Sequence, residues 1–296
     1  MSSSQTLPEN DFSITALAQQ VFSLSSKISS YLTSNSCPQP SLSINTGPVP
    51  ETPEYDALRS NLNDAAVDLL LLINGPRNTL RNFAFSHYDL AALQVALDRG
   101  FFSHVPLPAT SADGDTVSTA SIGDIAKKAG MDEDRTGRVM KLLATHRIFE
   151  EVGSGSFRHT ANSIFLAQDR EFHAMADMQM DDMLKAVSET STVVASGTAQ
   201  SAFQHRFGLT MYQYYEQNPA KGTRFAQAMS SWSQGEFRTL PPRSQATVLT
   251  LSTADRQVTE LVDSFRWASL GDGTVVDIGG GSGHISIALA RVSTIS

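Results

Sequence analysis

The sequence has a single cysteine, no long apolar run and no excess of basic residues. Cys37 is the only thiol among 296 residues, so an intrachain disulfide is excluded and a reducing compartment is indicated. The formal charge of −8 argues against nucleic acid or an anionic membrane as a partner. The apolar run Leu69–Ile73 is far too short to cross a bilayer, and the first residues do not resemble a signal peptide. These absences predict a soluble, cytoplasmic protein.

Apolar residues recur at helical spacing through the N-terminal part of the chain. Residues 12–33 and 55–73 each present an apolar face, and Gly75-Pro76 is expected to end the second helix. Further helices are predicted at about 78–85 and at Tyr88–Asp98. The Ser- and Pro-rich residues 34–54 predict a linker. The apolar faces exceed what one small bundle needs, which favours a homodimer, with internal packing as the alternative.

Residues 118–160 predict a winged helix. Ser121 with Asp124 resembles a capping box, Asp132 can cap a second helix, and two short strands are expected around Gly153 and Gly155. DNA binding is one use of such a fold. However, residues 121–160 hold six acidic and seven basic side chains, which leaves no basic recognition face. A packing or dimerisation module is therefore favoured over a DNA-binding one.

Two later helices are candidates for a substrate pocket. The first carries four methionines, which can line an apolar pocket or simply fill a core: Met175, Met178, Met180 and Met183. In the second, Asn218 can cap the helix, Pro219 suits its first position, and Phe225 and Met229 share one face. That stripe fits either a core-facing surface or the wall of an aromatic pocket, and periodicity alone favours the core.

The most specific motif lies in residues 274–290. The apolar run Val275–Ile278 is followed by glycines 279, 280, 281 and 283 and then by an apolar helical pattern. Glycines let the backbone turn sharply from strand to helix and approach a ligand closely. This pattern opens a nucleotide-binding α/β domain and suits a dinucleotide, S-adenosylmethionine (SAM) or no ligand at all. Only 13 residues follow Gly283 and none is acidic, so a ribose-binding carboxylate is not expected within this chain.

In this order, the segments resemble the plant-type (caffeate-like) O-methyltransferases of fungal secondary metabolism. Nearly all of the chain takes part, and the specific residues are the glycine motif and the run Asn-Pro-Ala-Lys-Gly-Thr-Arg-Phe-Ala-Gln-Ala-Met at 218–229. The resemblance implies that SAM is the cofactor and that a small-molecule hydroxyl acceptor lies beside Phe225 and Met229. It assigns cofactor contacts to Asp277, Gly279, Gly280, Gly281 and Gly283. It also implies that the winged helix serves dimerisation and substrate enclosure.

The resemblance further implies a longer catalytic domain with a histidine that deprotonates the acceptor hydroxyl. His284 does not match that base, so no catalytic residue is assigned, and no metal site is expected. We therefore expect a chain truncated just after the first cofactor motif, with an unspliced intron read after Arg291.

The fold class predicted from these observations is mainly α: an N-terminal helical dimerisation region with a winged helix, then only the first βα unit of a Rossmann-like methyltransferase domain. The predicted domains are an N-terminal helix and linker (1–54), a dimerisation domain (55–170), pocket helices (171–270) and the truncated catalytic start (271–296). The predicted function is methyl transfer from SAM to a hydroxyl of an aromatic or polyketide metabolite, with this chain inactive by itself. The alternatives are a non-catalytic dimerisation partner and a methyltransferase-like protein with another activity.

Overall fold

The computed structural model describes residues 13–108 except Asn45 and Pro48, residues 118–233, and five single residues further on, Trp267, Val276, Ser286, Ile287 and Ala290. Two compact units are present, Met1–Ile164 and Phe165–Ser296. The predicted cofactor residues, Asp277 to Gly283, lie outside the described residues. The four predicted domain ranges stay a prediction.

The first unit begins with two capped helices. They are α1 (Ile14–Ser34) and α2 (Pro53–Asp98), followed by the short α3 (Phe101–His104). The Ser13 hydroxyl accepts a hydrogen bond from the Ala16 N–H at 3.1 Å, and the Thr52 hydroxyl accepts one from the Tyr55 N–H at 3.2 Å. These bonds satisfy amides that have no partner inside the helix. Both caps are local devices that set where α1 and α2 start.

The helix predicted to end at Gly75-Pro76 does end there, and α2 consists of two helices joined by a kink. Gly75 has φ 66° and ψ 167°, outside the helical region, and the helix resumes with Pro76 and runs to Asp98. Proline is tolerated in the first turn of a helix because its missing N–H would have no partner there. A further helix was predicted after this point and is present. The break predicted between 78–85 and 88–98 was wrong, since Ser86 and His87 continue the helix. Residues 53–98 thus form two helices with a kink at Gly75.

The next segment contains a small antiparallel sheet beside two helices. The elements are β1 (Ala120–Ser121), α4 (Ile122–Ala129), α5 (Glu133–Thr145), β2 (Phe149–Gly153) and β3 (Ser156–His159), with sheet order β1-β3-β2. The two predicted strands are confirmed, and β1 is an additional strand that pairs Ala120 with Phe157. The Asp132 cap is also confirmed, since its carboxylate accepts from the Arg135 N–H at 3.0 Å.

The core of this unit is aromatic and contains one polar side chain of note. Its fully buried members include Phe101, Phe102, Phe149 and Phe157. His159 is 3% exposed among them, with Nε2 3.1 Å from the Val105 carbonyl and Nδ1 2.9 Å from the Ser163 hydroxyl. Burial lowers the pKa of His159, although the bond to Val105 acts in the opposite direction. The ring therefore favours its neutral form.

A long stretch of α2 has an apolar surface that no described residue covers. From residue 66 to residue 91 no side chain is buried. The exposed apolar side chains of this stretch are named here the α2 apolar face, although Leu70 to Ile73 point in successive directions around the helix. They are Val67, Leu70, Leu71, Leu72, Ile73, Leu80, Phe83, Phe85, Tyr88 and Leu90. Monomeric proteins rarely expose contiguous apolar patches larger than a few hundred Å². This face is therefore a candidate interaction surface.

The described residues of the second unit are helical. The elements are α7 (Arg170–Met178), a π-helical turn (Gln179–Met183), α8 (Leu184–Val187), α9 (Thr190–Ser196), α10 (Ala202–Phe207), α11 (Met211–Gln217) and α12 (Pro219–Ser233); α6 (Ala161–Gln168) precedes them. The predicted start of α12 at Pro219 is confirmed. The Asn218 carbonyl accepts from the Gly222 N–H at 2.9 Å. The Asn218 side chain points back, donating to the Tyr214 carbonyl at 2.7 Å.

Candidate functional site

Phe225 and Met229 lie one turn apart on α12, and both are partly exposed. The Phe225 ring stacks on Tyr215 with centroids 4.9 Å apart and an interplanar angle of 27°. It also meets Tyr212 at 6.1 Å in an edge arrangement of 89°. Tyr212 is 71% exposed, so this end of the aromatic surface is open to ligand. The structure thus places Phe225 where it packs on α11 and still has accessible surface.

An aromatic cluster supports these rings from behind. Phe203 on α10 contacts Phe207, Tyr214 and Tyr215, with centroid distances of 4.6, 5.4 and 6.1 Å. The Tyr215 side chain is buried, and this burial together with the negative charge of Asp182 raises the pKa of Tyr215 to about 12. The Tyr215 hydroxyl is therefore neutral at physiological pH. The platform under Phe225 is uncharged and well packed.

Gly222 lets α12 approach α11 closely. A Cβ added at Gly222 would lie 3.0 Å from the Tyr215 carbonyl oxygen, closer than ordinary van der Waals contact. That oxygen belongs to the backbone of the last turn of α11, so it cannot swing aside as a side chain would. The close approach sets the distance between Tyr215 and Phe225, which is the contact that defines the candidate site.

A network of six charged side chains lies next to Phe225. It is named here the α7–α12 ion network and consists of Asp177, Asp181, Asp182, Lys185, Lys221 and Arg224. The Arg224 guanidinium donates to Asp177 at 2.8 Å, to Asp181 at 2.9 Å and to Asp182 at 2.6 Å. Lys221 donates to Asp181 at 2.8 Å and also contacts Asp182. Three carboxylates and three cations leave the network neutral.

The π-helical turn explains why the carboxylates converge. Neighbouring side chains of a regular α-helix do not face the same partner, yet Asp181 and Asp182 both bind Arg224. In a π-turn the hydrogen bonds join residues five apart, and Asp177 and Asp182 are five apart. The wider turn therefore brings Asp177 and Asp182 onto the face that meets α12. Such single π-turns inside α-helices are frequent at functional sites.

Burial makes these charges interdependent. The Asp182 side chain is 0% exposed, and those of Arg224 and Asp181 are 16% and 15% exposed. Burial favours a raised pKa for Asp181, but hydrogen bonds from Lys185, Lys221 and Arg224 outweigh it and hold that pKa well below the usual range. Burial likewise opposes the charge of Arg224, and its carboxylate partners outweigh burial and raise its pKa. Asp181 and Arg224 therefore stay ionised at neutral pH.

Sequence reasoning considered the methionines of this region and missed its aspartates. Asp177 and Asp181 are four apart on one helix face, and like charges at that spacing are destabilising. That spacing was the available signal, because such a pair calls for a cationic partner from elsewhere. Of the four methionines, Met178 is buried and the others are partly exposed.

Metal sites and membrane-spanning helices are both absent from the part of the chain that the structure describes. No group of three or more His, Cys, Asp or Glu side chains there could hold a metal ion. Within the same residues, no helix combines the length and the apolar character that crossing a membrane requires.

Two fungal enzymes illustrate what the sequence is similar to. The O-methyltransferase sol2 of Alternaria solani is 40% identical over 284 residues, which cover 94% of this chain and 59% of sol2. A chlorophenol O-methyltransferase of Trichoderma longibrachiatum is 27% identical over 93% of this chain and 56% of its own length. The chain thus spans somewhat less than three fifths of the length of these relatives. No protein-family model matches it.

Solved structures with the same fold include OxaC, at a TM-score of 0.67 and 15% identity, covering 95% of this chain and 62% of OxaC. OxaC has been solved in complex with SAH and oxaline, and with sinefungin and meleagrin. A structure described as a pericyclic reaction enzyme matches at a TM-score of 0.58 and 17% identity, over 93% of this chain and 62% of its own. The predicted cofactor class is thus found among proteins of this fold.

The fold class predicted from the sequence was wrong in one respect. It placed only the first βα unit of a methyltransferase domain in this chain, after helices treated as a separate region. OxaC instead matches 95% of the chain, so likeness to the methyltransferase fold extends through nearly all of it. The error arose because the glycine motif was taken as the start of the methyltransferase fold. The truncation was predicted because no residue matches the expected base, and these matches do not show it. The chain is thus similar in sequence to fungal O-methyltransferases and similar in fold to OxaC.

Proposed function

We propose that the chain takes part in SAM-dependent methyl transfer to a hydroxyl of a small aromatic metabolite. The observation that carries this proposal is the 40% identity to an O-methyltransferase over 94% of the chain. The strand, glycine turn and helix pattern at 274–290 supports it, because such a turn holds a nucleotide against backbone N–H groups. Asp277 and glycines 279, 280, 281 and 283 are the proposed cofactor residues.

The proposed acceptor surface is formed by Phe225 and Met229 of α12 with the exposed ring of Tyr212. Stacked and edge-on aromatic contacts add about 0.5–1.5 kcal/mol beyond burial, which suits a flat aromatic acceptor. A thioether adapts its shape and contacts rings favourably. The chlorophenol O-methyltransferase of Trichoderma longibrachiatum, by its name, acts on an acceptor of the same class.

Calorimetric titration with SAM tests the cofactor assignment. We expect Asp277→Asn to weaken SAM binding about tenfold, which corresponds to about 1.4 kcal/mol, because the proposed carboxylate contact is lost. Asp64→Asn, at an exposed position of α2, is the matched control and should leave the affinity unchanged. Equal affinities for all three proteins would refute the assignment. Transfer of a labelled methyl group from SAM to 1-naphthol is measured in the same samples. No transfer is expected if the chain is inactive by itself.

A second candidate function is a different reaction on a bound metabolite. The pericyclic reaction enzyme of the same fold favours it, since one fold supports several chemistries. Product analysis distinguishes the two. Methyl transfer adds 14 mass units to the acceptor and converts SAM to its demethylated form, whereas a rearrangement leaves the mass of the metabolite unchanged.

We also propose that the chain forms a homodimer through the α2 apolar face. Obligate interfaces usually bury more than about 2,000 Å² and are strongly apolar. The ten apolar side chains of this face, spread over residues 67–90, offer the composition of such an interface. Light scattering at micromolar concentration should show a dimer that Leu72→Glu dissociates, while Arg138→Gln on the exposed side of α5 leaves it intact. A natural protein that is monomeric under these conditions refutes the proposal. A non-catalytic partner role would show as pairing with a full-length relative.

The reaction is proposed to take place in the cytoplasm without nucleic acid as a partner. The single cysteine and the net charge of −8 support this.

A further inference from the structure

The α7–α12 ion network and the candidate acceptor surface share helix α12, where a residue of the network directly precedes a residue of the surface. Arg224 binds three carboxylates, and the next residue, Phe225, forms the aromatic contact with Tyr215. Neighbouring residues on a helix differ in direction by a fixed angle of about 100°. The direction of Arg224 therefore determines the direction of Phe225, and that of Met229 one turn later.

The pairings show that the network acts along the contact between two helices. Ser230 lies 3.3 Å from Glu171, Arg224 pairs with Asp177, and Lys221 pairs with Asp181. Ascending residues on α12 meet descending residues on α7 and its π-turn, so the two helices are antiparallel. Lys221 and Arg224 are three apart and share one face. This face holds the strongest directional contacts of α12, because charge-assisted bonds to a guanidinium fork have defined geometry.

Stability alone does not explain why charged side chains, rather than apolar ones, meet between α7 and α12. Buried ion pairs are often no more stabilising than apolar residues of similar volume. Their best-supported use is to specify one arrangement among several similar ones. An apolar α12 could rotate or slide on α7 with little change in buried area. The fully buried Asp182, which is placed by the π-turn, allows only one position for the guanidinium.

We propose that Asp182 and Arg224 are positioning residues that fix the rotation of α12 and thereby present Phe225 and Met229 to the acceptor. This inference depends on the proposed function, in which that surface holds an aromatic acceptor. Neither residue is a catalytic residue, because each acts through the side chains of α12.

Fluorine NMR of the full chain labelled with 3-fluorotyrosine tests the inference. The chain has six tyrosines, and Tyr212 and Tyr215 are assigned from their Tyr→Phe variants. Both rings contact Phe225, but Tyr215 also senses the charges of Asp182 and Arg224 directly. The Tyr212 resonance is therefore the decisive reporter of the position of Phe225. We expect Arg224→Gln and Asp182→Asn to shift both resonances. Arg224→Lys, which keeps the charge and loses the fork, should cause a smaller shift. Arg138→Gln, which removes an exposed ion pair with Asp134, should cause none.

Titration with 1-naphthol, monitored by its fluorescence, separates positioning from the proposed function. We expect Phe225→Ala and Arg224→Gln each to weaken binding at least fivefold, with partial recovery in Arg224→Lys. The inference is overturned if Arg224→Gln and Asp182→Asn fold but leave the tyrosine resonances unshifted. It is also overturned if Phe225→Ala weakens naphthol binding and the network variants do not. A third outcome is that the resonances shift but no variant, including Phe225→Ala, changes naphthol binding. This outcome refutes the acceptor surface and supports the fixed rotation of α12. Circular dichroism verifies folding, and Arg224→Lys serves if Arg224→Gln does not fold.

Discussion

Removing the Arg224 guanidinium should be among the most damaging single changes in the second unit. Arg224→Met keeps an unbranched apolar stem and removes the guanidinium, so it tests the charge and the hydrogen bonds. The change leaves Asp182, which is 0% exposed, without its bond from Nη2 at 2.6 Å. Removing one partner of a buried ion pair costs about 3–5 kcal/mol, because the other charge is left uncompensated in the interior.

The structure sets the expected value at the lower end of that range. Asp182 keeps its contact with Lys221, and Asp177 is 27% exposed, so water can solvate it. We therefore expect a loss of about 3 kcal/mol. The comparison is Arg138→Met, whose pair with Asp134 has side chains that are 77% and 65% exposed. An exposed pair of this kind is worth about 0–1 kcal/mol.

Equilibrium urea unfolding at pH 7, followed by far-ultraviolet circular dichroism, measures both variants. A pH series adds a second criterion. The pKa of Asp181 is held below its ordinary value of 3.8, so its contribution to stability is present above that pH and is lost as the pH falls further. Arg224→Met removes one of the bonds responsible, and its stability should fall less steeply in that range. Equal stabilities of Arg224→Met and Arg138→Met would contradict the reasoning.

Three further predictions follow from the described contacts. His159 has a lowered pKa in the folded protein, so as the pH falls the unfolded chain binds a proton at this histidine before the folded protein does. The free energy of unfolding should therefore decrease as the pH drops below 6.5. His159→Gln should flatten that part of the pH profile measured by urea unfolding. Gly222→Ala should destabilise by about 1–2 kcal/mol in urea unfolding, since an overpacking cost of about 1–3 kcal/mol at the Tyr215 carbonyl exceeds the gain in helix propensity of up to about 1 kcal/mol. Gly153→Ala is the control, because its Cβ meets nothing within 4 Å and its φ is not positive. In a methyl-transfer assay with a full-length relative, replacing the residues matching Phe225 and Met229 with alanine should raise the acceptor KM, and unchanged kinetics would refute the acceptor surface.

Local patterns in the sequence predicted the local features of the fold. The Asp132 cap joins residues three apart, and the start of α12 depends on Pro219 and its immediate neighbours. The turn between β2 and β3 was anticipated from Gly155, which has φ 75°. Such features involve few residues, so their residue types are sufficient to predict them.

Predictions failed where the outcome depended on residues distant in sequence. The break predicted after residue 85 does not occur, since Ser86 and His87 continue the helix. The strand β1 exists because Ala120 pairs with Phe157, and two residues alone contain no strand signal. The fold class was misjudged because the glycine motif was taken as the start of the methyltransferase fold, whereas the likeness to OxaC covers 95% of the chain.

The sequence by itself determined where most helices begin, which faces are apolar and which family the chain resembles, because helix periods, caps and glycine turns are set within a few residues. The tertiary structure alone decided that Asp177, Asp181 and Asp182 meet Lys221 and Arg224, which lie between 39 and 47 residues away. It also decided that Phe225 rests on Tyr215. Charges separated by that distance along the chain attract one another only once packing has brought their helices together. The partners of the buried carboxylates could therefore not be read from their spacing.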